Sequence, residues 1–278
     1  MRTFIAIAAS FFILTACEET IKLDLKQSEP KIVIEGLVTD VDGYQSVKIT
    51  KSAPFYTGGP TPRITDAIVY VTDSDGQEIA FVHNPNSHAD SSGIYVPAVP
   101  FVGVVGKSYT LHVEAEGKTY EAFDQLEPVI PMDSLKYKVD EDEKDDPEIA
   151  GKYYSVLMFA QEPQDQTNYY LFKFFRNDSL TYQNDTDIYF SDDKLLGESI
   201  SGIESPIYYG INDKSRVEMF SLTRKGFVYF SDLSSLLNND GGGMFGSIPA
   251  PPRTNISNGG LGFFQVSSLK MAEIILEE

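Results

Sequence analysis

The chain has 278 residues, 42% of them hydrophobic, with 22 basic against 41 acidic side chains and a formal charge of −19. The 16 Tyr and 18 Phe, in a chain long enough to bury one or two cores, exclude general disorder. The acidic excess argues against nucleic acid and anionic lipid surfaces as partners, since both reward Lys and Arg.

The first element is apolar. After Met1-Arg2 come thirteen residues, Phe4 to Ala16, in which only Ser10 and Thr15 are polar. As a helix they would reach roughly 20 Å, short of the ~30 Å hydrocarbon core of a bilayer. A positive start, a short apolar run and small residues at its end read as a secretory signal over 1–16. The sole cysteine stands where cleavage would fall, and Leu14-Thr15-Ala16-Cys17 resembles the bacterial lipobox. Sulfur is the nucleophile that takes a glyceride there, so Cys17 is the expected lipidation site, and no second cysteine offers it a disulfide. More than one acyl chain makes such anchoring stable. Residues 17–29 are then a tether, and Glu18-Glu19 resemble the acidic signals that send Bacteroidota lipoproteins to the cell surface.

Short β-branched and alternating runs follow: "KIVIEGLV" at 31–38, "YQSVKIT" at 44–50 and "AIVYVT" at 67–72. Asp75-Gly76 and Glu116-Gly117 sit between such runs and predict tight hairpins. Residues 30–127 are therefore expected to form an antiparallel sandwich of immunoglobulin or transthyretin type. Residues 128–278 should form a second antiparallel sandwich or barrel. Its acidic block 140–148 reads as a solvated loop, and its tail from Asn258 as a glycine turn with one closing strand. One helix is predicted near 226–238, where Phe227, Phe230, Leu233 and Leu237 recur every three or four residues before Asn238-Asn239. The fold expected is all-β with one packed helix.

Few motifs carry chemistry. Gly241, Gly243 and Gly246 match G-x-G-x-x-G, but a helix precedes them and prolines follow, the wrong context for a dinucleotide. Asp73, Asp75 and Glu78 supply half a calcium loop and fit a turn better. His83, His88 and His112 are the only histidines. His83 and His88, five apart in a loop, could meet on a metal, but no H-E-x-x-H occurs, no cysteine remains for zinc, and exposed loop histidines are the commoner case. No metal, cofactor or catalytic residue is expected, and the chain is not read as an enzyme. The tyrosine pairs 153–154, 169–170 and 208–209 should each send one ring inward and one outward. Outward Tyr169 and Tyr208 are candidate binding residues, with Tyr56 and Arg253 in the irregular loops "YTGGPTP" and "IPAPPRTNISNGG".

The order lipobox, "EPKIVIEGLVTD", "VKITKSAPFY", "ITDAIVYVTDSDG", "GIYVP", "VVGKSYTLHVEAEGKTYEA", "MDSLKY", "RKGFVYFSDL" and "APPRTNISNGGLGFF" resembles Bacteroidota outer-membrane lipoproteins of domain-of-unknown-function family 4249. Such proteins are typically encoded beside TonB-dependent receptors. The resemblance implies an accessory binding lipoprotein of the outer membrane, facing the cell surface and partnering such a receptor in nutrient uptake. It brings no catalytic residues. Two other readings compete: a surface hydrolase of glycan or peptide, and a structural or adhesive surface lipoprotein.

Overall fold

The computed structural model describes residues 29–53, 61–84, 91–161, 167–193, 199–239 and 250–278. Cys17, Tyr56, His88 and the Gly241–Gly246 motif lie outside them. The described chain is all-β, with two helices.

Eight strands form one sheet. In chain order these are β1 (Ile32–Thr39), β2 (Ser46–Lys51), β3 (Ile68–Asp73), β4 (Glu78–His83), β5 (Ile94–Pro97), β6 (Ser108–Ala115), β7 (Lys118–Gln125) and, much later, β15 (Leu261–Ser267). Their spatial order is β15-β1-β2-β5-β4-β3-β6-β7. Period-2 alternation sends Ile34, Val69, Val71, Leu111 and Val113 inward, into one core with Phe264 and Val266 of β15. Both predicted hairpins form. β3–β4 turns at Asp75-Gly76, and β6–β7 turns through Glu116 (φ 51) and Gly117 (φ 74), the two left-handed residues that a two-residue turn requires.

The sheet rolls until its ends, β7 and β15, nearly meet. Two isolated bridges, Ala122 with Ile256 and Glu127 with Ser267, are the backbone pairings at that seam. Side chains supply much of the remainder. Asn255 donates through Nδ2 to Phe123 O (3.2 Å) and Phe264 O (2.8 Å), and accepts from Phe264 N (2.9 Å). Asp124 Oδ2 accepts from Val266 N at 3.0 Å. Thus Asn255 and Asp124 satisfy backbone groups that a continuous ladder would otherwise pair.

The second unit packs two sheets. The smaller holds β8 (Ser134–Val139), β9 (Tyr154–Gln161) and β13 (Ser199–Tyr209). The larger is built on β10 (Tyr169–Arg176) and β14 (Lys214–Leu222), edged by β11 (Ser179–Leu180), β12 (Tyr189–Asp192) and β16 (Leu269–Ile275). Tyr170, Phe172, Phe174, Val217 and Met219 face the smaller sheet. Leu171, Phe220 and Leu222 face the other way and are covered by helix α2 (Arg224–Leu237) and by Leu37, Val41 and Tyr44 of the first unit. β14 therefore reads as a nearly unbroken buried run, as a strand covered on both faces must.

Three details depart from the sequence reading. The acidic block is not all loop: α1 (Glu141–Asp145) forms one exposed turn, with Asp140 Oδ1 capping Asp142 N and Glu143 N and acids at the positive end of the helix dipole. The tail is two strands in different sheets, because the chain changes sheet at Ser267-Ser268. There Ser221 Oγ donates to Glu127 O (2.6 Å) and accepts from Ser268 N (2.9 Å), while Ser267 Oγ donates to Ser221 O. Finally, β15 runs parallel to β1 over Val33–Thr39, so a strand from beyond residue 128 completes the first sheet.

Candidate functional site

A wide depression lies over the seam. It measures about 750 Å³, within the ~300–1,000 Å³ usual for small-molecule sites. Phe123 of β7, Phe263 of β15 and Val228 of α2 give it apolar walls. Three cations, Arg224, Lys225 and Arg253, line it together with the polar Thr254 and Asn255.

Local sequence explains how these groups meet. Thr223 caps α2 by accepting from Gly226 N (3.3 Å), and donates its own proton to Asp124 Oδ1 at 2.7 Å. Asp124 thereby ties the start of the helix to the seam. Burial pushes its carboxyl up to about 6, opposed by the hydrogen bonds from Thr223 and Val266. The helix then places Arg224 and Lys225 in its first turn, where the macrodipole favours acids and where there are none. On the inner side of the helix, Tyr229 stacks on Phe263 (4.9 Å, 23°) and Phe227 packs on Tyr169 and Phe190. Burial pushes the Tyr229 hydroxyl up to about 12. The predicted apolar stripe is therefore shifted: Leu237 is exposed, and Tyr229 is buried.

Replacing Thr223 with alanine should cost about 1–2 kcal/mol, since it removes a cap and leaves Asp124 short of a donor. Thermal melts should show Thr223→Ser restoring most of that loss, as serine keeps both hydrogen bonds.

Of the sequence candidates, Arg253 is in the groove. Its guanidinium grips Asp232 through Nε (2.7 Å) and Nη2 (2.8 Å), and its backbone N–H reaches the same carboxylate at 3.0 Å. That pairing holds the Asp232 carboxyl below the usual range and orients the 253–255 segment across the seam. With 71% of its side chain exposed, Arg253 keeps a face toward the groove.

Tyr169 sits on the opposite side of the α2 start, with its ring against Phe227 at 4.8 Å. It lines a smaller hollow of about 210 Å³ that also contains Arg224. Tyr208 belongs to a separate place. A bulged β13 buries Tyr209 fully and leaves Tyr208 half-exposed, with its carbonyl accepting from Arg176 Nη1 (2.7 Å). The hollow beside it is only about 60 Å³. The structure thus brings Arg253 and Tyr169 to two flanks of one helix end and leaves Tyr208 apart. In the third pair, Tyr153 precedes the strand, so the two rings stack side by side at 4.9 Å instead of facing opposite ways.

The other polar clusters are structural. Asp73 Oδ1 accepts from Asp75 N (3.0 Å) and Gln77 N (2.9 Å), and Lys107 Nζ clamps Asp73 (2.8 Å) and Asp75 (2.6 Å), so a lysine stands where a cation would bind. His83 Nε2 accepts from Gly93 N, while His112 stacks on Tyr70 at 4.5 Å and contacts Glu121. No group of three metal-ligating residues occurs among the described residues.

Phe123, Arg224, Lys225, Val228, Asn255 and Phe263 were not candidates on sequence grounds. One signal was present: "TRKG" at a helix start puts cations where acids are preferred.

No curated protein matches this chain. Among solved structures it is similar to the crystal structure of chicken CNTN1 FN1-FN3 domains, at 10% identity and a TM-score of 0.21, covering 69% of this chain and 60% of that one. A likeness that faint carries no argument. The family match is extensive, running over residues 18–272 and so through both units and every residue of the groove. The chain belongs to the family described as Domain of unknown function (DUF4249).

Proposed function

We propose that this protein is a lipid-anchored accessory binding protein of the outer membrane that faces the cell surface and partners a TonB-dependent receptor in nutrient uptake. The observation that carries the reading is Cys17: the sole cysteine, at the end of a thirteen-residue apolar run with small residues before it. A tether of about thirteen residues, up to ~45 Å when extended, would leave the β body free to dock beside a membrane-embedded partner. Membership of the DUF4249 family agrees with the resemblance that suggested this role.

The anchor predicts that labelled palmitate is incorporated into the wild-type chain and that Cys17→Ser abolishes both the label and envelope retention after washing. An unlabelled wild-type protein, or a retained serine variant, would sink the anchor. The partnership predicts that tagged protein, crosslinked and extracted in mild detergent, recovers a β-barrel receptor. Recovery of none would remove that half of the proposal alone. Protease shaving of intact cells tests the facing: loss of this protein beside a protected periplasmic control is expected.

A further inference from the structure

The geometry points to the seam groove as a binding site for a small amphipathic anion, a carboxylate or phosphate joined to an apolar body. Three observations converge on it. The groove has ligand dimensions, about 750 Å³. It has two chemical ends: Phe123, Val228 and Phe263 provide apolar surface, while Arg224, Lys225 and Arg253 provide positive charge. Its cations are also unusually free for so acidic a molecule. Arg253 is held by Asp232, but Arg224 and Lys225 have no ion pair or side-chain hydrogen bond among the described residues, in a chain whose acids outnumber its bases 41 to 22.

Phe123 adds a fourth point. An aromatic ring 49% exposed at the mouth of a charged groove costs solubility unless something stacks on it. The positive end of α2 lies on the same side as Arg224 and Lys225 and adds to their potential. A neutral ligand would leave those charges unused. A bare inorganic anion would leave the phenylalanines uncovered. Asp124, the acid behind the cap, is buried and already engaged by Thr223 Oγ1 and Val266 N; Lys225 attracts it through space but forms no ion pair with it, so the lysine head stays open to a ligand. This inference concerns the groove alone and does not depend on lipidation or on a receptor.

The test uses the full chain in neutral phosphatidylcholine nanodiscs, with empty discs as blank, and equilibrium dialysis against 1-naphthyl phosphate. The chain has no tryptophan, which simplifies reading naphthyl emission. One saturable site is expected, with 1-naphthol and inorganic phosphate each binding at least tenfold more weakly. The double variant Arg224→Glu/Lys225→Glu should lose at least tenfold in affinity, and Phe123→Ser several-fold. The control pair Lys31→Glu/Lys118→Glu should bind as wild type. Circular dichroism and melting curves establish that each variant is folded, and these are solvent-facing positions. The proposal is overturned by absence of saturable binding, by equal affinity for naphthol or for inorganic phosphate, or by a folded charge-reversal variant that binds within twofold of wild type.

Discussion

Gly262→Ala is expected to destabilise the protein by about 4–5 kcal/mol, a large share of the ~5–15 kcal/mol typical of a folded chain. Gly262 has φ +92, a conformation that costs an L-residue ~1–2 kcal/mol on its own. The larger part comes from position. A methyl group there would lie 2.8 Å from the Ile34 carbonyl carbon and 3.0 Å from the Ile34 nitrogen, and closer still to the carbonyl oxygen. These are backbone atoms of Ile34, a fully buried residue of a strand paired on both sides, and cannot swing aside. β15 would have to lift from β1, weakening the register from Val33–Leu261 to Thr39–Ser267 and withdrawing Phe264 and Val266 from the core. Gly259→Ala isolates the backbone cost, because Gly259 has φ +73 with nothing within 4 Å of the added carbon. Urea unfolding should give about 1 kcal/mol for Gly259→Ala. Similar losses for both variants would refute the close-packing argument.

The second large effect is a pH dependence at Asp124. Burial raises its carboxyl from 3.8 in the unfolded chain to about 6. The native state therefore holds the proton more tightly, so this group's contribution is fully present below pH ~4 and is lost as pH rises through 6. A displacement of this size corresponds to about 3 kcal/mol. Asp73, Asp178, Asp213 and Asp232 act in the opposite sense: their carboxyls are lowered by partners, so their contribution is lost as pH falls below 3.8. The window from pH 4 to 6 thus separates the two effects. Unfolding free energy of the wild type, measured across it, should fall by about 2 kcal/mol more than that of Asp124→Asn, the rest of the loss coming above pH 6. The variant carries the same repulsion among its remaining acids, so parallel curves would remove Asp124 from the account. Asp124→Ala should be worse than asparagine at every pH, because the buried Val266 N–H loses its acceptor.

Much of the architecture was legible because it rests on local rules. Alternation located β1, β3 and β6. Asp75-Gly76 and Glu116-Gly117 marked their turns, and Asn238 ended the helix. Long-range pairing was not legible. "LGFFQVSSLKMAEII" reads as one strand because apolar residues continue across Ser267-Ser268, and only tertiary pairing divides it. The groove was half legible for a similar reason. Arg253 stood out in its loop, but Phe123 and Asp124 look like ordinary alternating residues of β7. Their roles arise from a seam between strands about 140 residues apart. Tyr169 illustrates the converse: strand alternation correctly sends it away from Tyr170, but a helix occupies the space on that side.

The parallel β1–β15 ladder also dictates an order of events. The first sheet of the chain remains unfinished until Leu261–Ser267 is delivered, long after β1 at Ile32–Thr39. Until then β1 offers an open edge to any neighbour, the kind of template on which chains aggregate and for which holding chaperones exist. Cleavage of the chain ahead of Leu261 would recreate that edge if β15 were then lost, so the edge stays covered only while β15 stays joined.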